Sequence, residues 1–143
     1  MDCLFLPADC PARLIAETRV YWLPKDEPGR WQALGECSAA GAISLVLPAE
    51  VCSFFAVNLP TRKARWMQQA LAYAAEELLA ENVDELHLAL GEVLADGRQR
   101  VVAIGRQRLG DWLAQLRELG LPVVAIHVDA DLLPRKATQL LFL

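Results

Sequence analysis

The residues best equipped for chemistry stand together near the end of the chain, in the run His127-Val-Asp129-Ala-Asp131. In an extended strand, alternation puts all three on one side, at the carboxyl end, where open α/β sheets place their ligands. One imidazole and two carboxylates in that pattern suit a divalent cation, and imply a metal- or small-ligand-binding α/β enzyme centred on His127, Asp129 and Asp131. The other reading ends the extended segment near Val128 and leaves two acids on a solvated loop. Phosphate-cradling and nucleophile motifs are missing. There is no GxxxxGK[ST], no GxGxxG and no G-x-S-x-G, and Gly105 and Gly110 are isolated. Cys3, Cys10, Cys37 and Cys52 form no CxxC pair and have no His beside them, so they read as reduced thiols and not as zinc ligands or a disulfide framework.

Charge placement is the second unusual feature. Arg62, Lys63 and Arg65 open a predicted helix, whereas Glu76, Glu77 and Glu81 lie at or beyond its end. The helix dipole favours the reverse order. Either the charges form a solvated face or they are held for a partner. Arg98, Arg100, Arg106 and Arg108 form a second basic cluster, carried by two copies of GRQR that bracket one strand. Cations at turns solvate well, and they also suit an acidic partner.

These residues need a scaffold, and the composition supplies one. The chain has 143 residues, is 55% hydrophobic and 22% charged, and has a formal net charge of −4. That is long enough to bury a core and too apolar for disorder. The acidic balance argues against a general nucleic-acid binder. Residues 41–59 are apolar over a membrane-span length, but Pro48 and Glu50 interrupt them. They read as two buried strands meeting at a turn, so no transmembrane segment is expected. The start, MDCLFLPAD, carries an acid where a signal peptide carries basic residues.

Short strands are predicted at Cys3–Leu6, Arg19–Leu23, Trp31–Glu36, Ile43–Leu47 and Cys52–Leu59, separated by turns rich in Pro and Gly. Ser38–Ala42 is too short and small-residued for a helix. Thr61 caps a helix from about Arg62 to Ala80, with Met67, Leu71, Ala74 and Leu78 on its core face. Strands at Glu85–Leu90 and Gln99–Ile104 flank the hairpin signal Asp96-Gly97. A second helix runs from Gly105 to Leu119 with Leu109, Trp112, Leu113 and Leu116 inward, and Gly120 stops it. The continuous apolar run Pro122–Val128 predicts a strand buried on both faces, closing a parallel βαβ unit with the strand at Gln99. Thr138–Leu143 reads as a further strand. The expected organisation is a β-rich subdomain over 1–59, an αββαβ subdomain over 60–134, and the start of a following domain at 135–143. The fold class is α/β, or α+β with mixed sheets.

The run LVLPAEVCSFFAVNLPTRKARWMQQALAYAAEELLAENVDELHLALG, residues 45–91, resembles the cytoplasmic region of the type II secretion system L protein (GspL) family. Its elements are a strand ending LPAE, an aromatic strand ending LP, a basic helix start, a Q-A-L-x-Y-x-x-E-E helix, the acidic turn ENVDELH and a strand ending ALG. DGRQRVVAIGRQRLGDWLAQLRELGLPVVAIHVDADLLP continues the likeness, so residues 43–134 carry it. The resemblance implies a partial actin-like (RNase H-like) fold with two main helices, in a non-enzymatic scaffold on the cytoplasmic side of the bacterial inner membrane. It implies that the region recruits the secretion ATPase through that enzyme's N-terminal domain, and that the parent partners the platform M protein; a homodimer is a further possibility. On this reading the chain is the first part of the cytoplasmic region, ending as the second actin-like half begins. No cofactor is expected. Actin-like ATPases use a D-x-G phosphate loop, and Asp2, Asp9 and Asp26 have no Gly two residues on. The candidate partner contacts are Arg62, Lys63, Arg65, Glu76, Glu77, Glu81, Arg98, Arg100, Arg106 and Arg108. Self-association through Trp66 and Tyr73, seven residues apart on the first helix, is the alternative use of that helix.

Overall fold

In the computed structural model the described residues are 1–59, 69–74, 76 and 83–132, with residues 131 and 132 described by backbone alone. The chain divides into two compact units, one formed by Met1–Val51 with Gly110–Leu143 and the other by Cys52–Leu109.

The first unit is built on a mixed five-stranded sheet in the order β3-β2-β1-β4-β8. Its strands are β1 (Asp2–Phe5), β2 (Arg19–Leu23), β3 (Arg30–Ala33), β4 (Ile43–Leu47) and β8 (Val123–Val128). The β1–β2 and β2–β3 pairs are antiparallel, and β4 runs parallel to both β1 and β8. β4, ISLVL, is buried throughout, as befits a central strand. Leu4, Val20, Trp22, Leu34, Ile43, Leu45, Trp112, Leu116 and Leu121 form its core. The indole N–H of Trp112 donates to the carbonyl of Pro11 at 3.0 Å, and the backbone N–H of Leu14 donates to Oε1 of Gln115, tying the helix to the N-terminal loop. That helix, Arg106–Glu118, stops as predicted. Gly120 adopts φ +80, its N–H bonds Arg117 O at 3.1 Å, and Leu121 N–H bonds Leu116 O at 2.9 Å. This is the paired 5→2 and 6→1 closure of a Schellman end, with buried Leu116 and Leu121 as its hydrophobic contact. Residues 38–42 form no helix.

The second unit holds an antiparallel sheet in the order β5-β7-β6, with β5 (Ser53–Val57), β6 (Leu86–Val93) and β7 (Gln99–Gly105). Residues 69–74 and 76 are helical. Val57, Leu71 and Val101 form its buried cluster, with Phe55, Leu59, Ala74 and Leu88 packed against it. The hairpin signal is realised: Gly97 takes φ +88 in the turn between β6 and β7, where a left-handed residue is needed.

Three expectations are corrected. β7 and β8 lie in different sheets, so the strand–helix–strand from Gln99 to Val128 is not a parallel βαβ unit; the parallel neighbour of β8 is β4. β8 is also not buried on both faces. It is the last strand of its sheet among the described residues, and Val124 and Ile126 are exposed. An unbroken apolar run marks an apolar strand but not the number of its neighbours. The apolar stretch 41–59 does hold two strands around Pro48, yet only β4 is buried; β5 is half exposed and belongs to the other sheet. The expected first-helix N-terminus, Trp66 and the strand Thr138–Leu143 lie outside the described residues.

Candidate functional site

Alternation along β8 stops at Val128, where the backbone turns into the 3-10 segment Asp129–Leu132. His127 is exposed on the strand, and Asp129 begins the turn, its Oδ1 accepting the N–H of Ala49 at 3.1 Å. The carboxylate is thus engaged in holding the segment after β4 against the end of β8. Strand alternation therefore does not carry past Val128, and the described residues contain no group of three or more His, Cys, Asp or Glu arranged to hold a metal. This bears out the reading that ends the extended segment near Val128.

The basic residues of the two GRQR runs are all exposed in the second unit. Arg98 follows the hairpin turn and pairs with Asp96, Nε to Oδ2 at 2.8 Å, while its backbone N–H bonds Oδ1 at 3.0 Å. The backbone N–H of Arg98, reinforced by its guanidinium, holds the Asp96 carboxyl below its usual range. Arg100 on β7 reaches Glu92 of β6 at 3.3 Å. Arg106 and Arg108 occupy the first turn of Arg106–Glu118, which carries no acidic residue. Cations there oppose the dipole by a few tenths of a kcal/mol each, and Arg106 is held by donating to Leu86 O at 3.2 Å. Asp84, Glu85, Leu86, Gly105, Arg106, Gln107 and Arg108 line one open cleft. The fold therefore gathers the second GRQR run with part of the acidic turn, and sets the first on the neighbouring hairpin.

Of the first-helix charges, Glu76 is exposed; Arg62, Lys63, Arg65, Glu77 and Glu81 lie outside the described residues. Sequence reasoning missed Gln99, which stands between Arg98 and Arg100 yet is only 3% exposed. Its Nε2 donates to Gly91 O and Arg100 O, each at 2.9 Å, and it lies 3.5 Å from Glu92 O. These bonds support the irregularity in β6 between Leu90 and Val93 that carries Glu92. The available signal was alternation, because Gln99 shares a face with Val101 and Ala103.

Comparison with known proteins places this architecture. The family model for type II secretion system (T2SS), protein L matches residues 25–143. The type II secretion system protein L of Pseudomonas aeruginosa is 44% identical over 146 residues, covering all of this chain and 38% of that protein. The Klebsiella pneumoniae protein L is 38% identical over 96 residues, covering 66% of this chain and 23% of that one. The chain thus spans little more than a third of the length of the Pseudomonas relative. Among solved structures, the cytoplasmic domain of EpsL, an inner membrane component of the Vibrio cholerae type II secretion system, superposes with TM-score 0.72. It is 21% identical, with 94% of this chain and 60% of that one covered. The PilM-PilN type IV pilus biogenesis complex gives TM-score 0.65 at 12% identity, covering 90% and 47%. The fold is thereby the mixed-sheet, actin-like fold that the resemblance implied. With a family match over most of its length and a 44% identical relative that covers all of it, the chain belongs to the type II secretion system protein L family.

Proposed function

We propose that this chain serves as a non-enzymatic docking body of the secretion inner-membrane platform, on its cytoplasmic side, and recruits the secretion ATPase through that enzyme's N-terminal domain. Membership of the protein L family is the observation that carries the reading, and the likeness to the EpsL cytoplasmic domain supports it. No helix among the described residues is long and apolar enough to cross a membrane. A partner contact with the platform M protein belongs to the same reading. The docking surface would comprise Arg98, Arg100, Arg106 and Arg108 together with Arg62, Lys63, Arg65, Glu76, Glu77 and Glu81. The exposure of the four arginines on the second unit supports this choice. Such pairing sets orientation and association rate more than affinity, and salt screens it.

Calorimetric titration of the chain with the ATPase N-terminal domain tests the proposal. Binding with Kd of about 1 µM or tighter at low salt, weakened at least tenfold in high salt, is expected. Reversal of Arg98, Arg100, Arg106 and Arg108 to Glu should weaken it further with the fold intact, and Glu76, Glu77 and Glu81 reversed to Lys should do the same. No binding by the folded chain overturns the recruitment reading. Unchanged affinity in a folded reversal variant removes that surface.

A further inference from the structure

An antiparallel sheet with one solvated face ordinarily carries polar residues on that face. The sheet of the second unit departs from this. Its inner face holds the Val57–Leu71–Val101 cluster, with Ala74 packed against it. On the opposite face the registers set Phe54, Val102 and Ala89 side by side across β5, β7 and β6, with Ala56 beside Arg100 and His87 beside Ile104. Of these seven residues only Arg100 and His87 are polar. Phe54 is 44% exposed, Ala89 is exposed, and Ala56 and Val102 are half-buried. Gly91 belongs to the same face. A Cβ there would lie 3.3 Å from Cγ of Arg100, so the aliphatic stem of Arg100 runs flat over Gly91 on its way to Glu92. The surface is low around the exposed ring of Phe54. Arg98 and Arg100 stand at one end, in ion pairs with Asp96 and Glu92 that are open enough to solvent to exchange for a partner's carboxylates.

We infer that this face is the apolar anchor of the docking surface proposed above, and that it takes an amphipathic helix of the partner whose apolar stripe is bordered by Asp or Glu. The inference rests on the recruitment reading and adds to it the source of the affinity. Exposed charge pairs orient a complex but hold it weakly, whereas a desolvated aromatic or aliphatic centre carries most of the binding energy. The arginines of the first GRQR run border such a centre. A helix is the fitting occupant because sheet faces pack against helices, as the inner face of this sheet already does with the helical residues Leu71 and Ala74. An added strand would pair along an edge and leave the face bare. Charge complementarity selects the acidic border, whose carboxylates would meet Arg98 and Arg100 while Phe54 enters the apolar stripe.

Titration of the chain and its variants with the N-terminal domain of the secretion ATPase tests this. Phe54→Ala should weaken binding about thirtyfold, as loss of a central aromatic anchor does. Ala89→Lys, which sets a charge beside Val102, should weaken it at least tenfold. Ser53→Lys charges the β5 edge without touching this face and should stay within about twofold of the parent. Methyl NMR signals of Ala56, Ala89 and Val102 should shift when the ATPase domain is added, and this readout decides the matter if the first two variants misfold. Amide exchange on the ATPase domain should slow in one helix with Asp or Glu beside its apolar stripe. Unchanged affinity in folded Phe54→Ala and Ala89→Lys, or methyl signals that stay in place while the domain binds, overturns the inference and leaves recruitment standing. Loss in Ser53→Lys equal to that in Phe54→Ala gives the site to the strand edge and overturns it as well, as does slowing confined to strands or loops of the ATPase domain. No binding by the folded parent chain overturns recruitment and this inference together.

Discussion

Gln99→Leu tests whether the buried amide organises the hairpin that presents Arg98 and Arg100. Leucine nearly matches the volume of glutamine, so the change removes hydrogen bonds without opening a large cavity. Two bonds of 2.9 Å are lost, to Gly91 O and Arg100 O, and the 3.5 Å approach to Glu92 O contributes little. At about 1 kcal/mol net per bond the loss is about 2 kcal/mol; because Gly91 is exposed, water can replace part of its bond, which holds the figure near that value. For a chain of this size that corresponds to about 6 °C in Tm. The irregular segment of β6 should also open more often, so amide exchange at residues 90–93 should accelerate ahead of β7. Glu92 rides on this segment, and its 3.3 Å pair with Arg100 should loosen with it. Urea denaturation with exchange measured on the same variant gives both readouts. A Gln99→Leu protein within about 0.5 kcal/mol of the parent, with exchange at 90–93 unchanged, refutes the assignment of Gln99 as the support of this segment.

The remaining expectations concern single groups. In a carboxyl NMR titration Asp96 should titrate below its ordinary 3.8, and Arg98→Ala should raise the value only part of the way, because the first cause is the backbone N–H of residue 98. A folded value depressed in this way adds stability that is present above 3.8 and lost as the pH falls through the folded value. Burial, only partly offset by the Gln32 amide, pushes the Cys37 thiol above its usual 9.0, so Cys37 should alkylate more slowly at pH 8 than Cys3. The stability held in that neutral thiol is present below 9.0 and lost as the pH rises toward the folded value. Gly120→Ala should cost about 1 kcal/mol, about 3 °C in Tm, from backbone strain alone, since a Cβ there meets nothing within 4 Å. Gly41→Ala, equally open but without a positive φ, is the neutral control in the same melting experiment. Asp129→Asn keeps an acceptor for the Ala49 N–H and should melt near the parent, whereas Asp129→Ala should lose about 1 kcal/mol. Equal losses in the two variants would show that the charge, and not the hydrogen bond, is what matters at Asp129.

Much of the fold was legible because its signals are local. β2 and β4 fall on the predicted residues, Arg19–Leu23 and Ile43–Leu47. The Asp96-Gly97 turn and the Gly120 stop are backbone requirements that only a few residue types satisfy. The triplet at His127 left two readings open, and the structure bears out the one that ends the strand at Val128. Its common face required β8 to continue past Val128, and a strand's length is set by its neighbour, which here ends its pairing at Leu47.

The sequence alone determined the family, the hairpin, the helix with its stop, and the positions of most of the described strands, since each follows from residue type and short-range periodicity; the predicted strand Trp31–Glu36 is the exception, its second half being the 3-10 turn Leu34–Glu36. Tertiary structure alone decided which strands share a sheet. Pairing β8 with β4 joins residues some eighty positions apart, and no local pattern separates that choice from pairing with β7. Long-range pairing likewise placed β7 between β5 and β6, which buries the face that Gln99 shares with Val101 and Ala103.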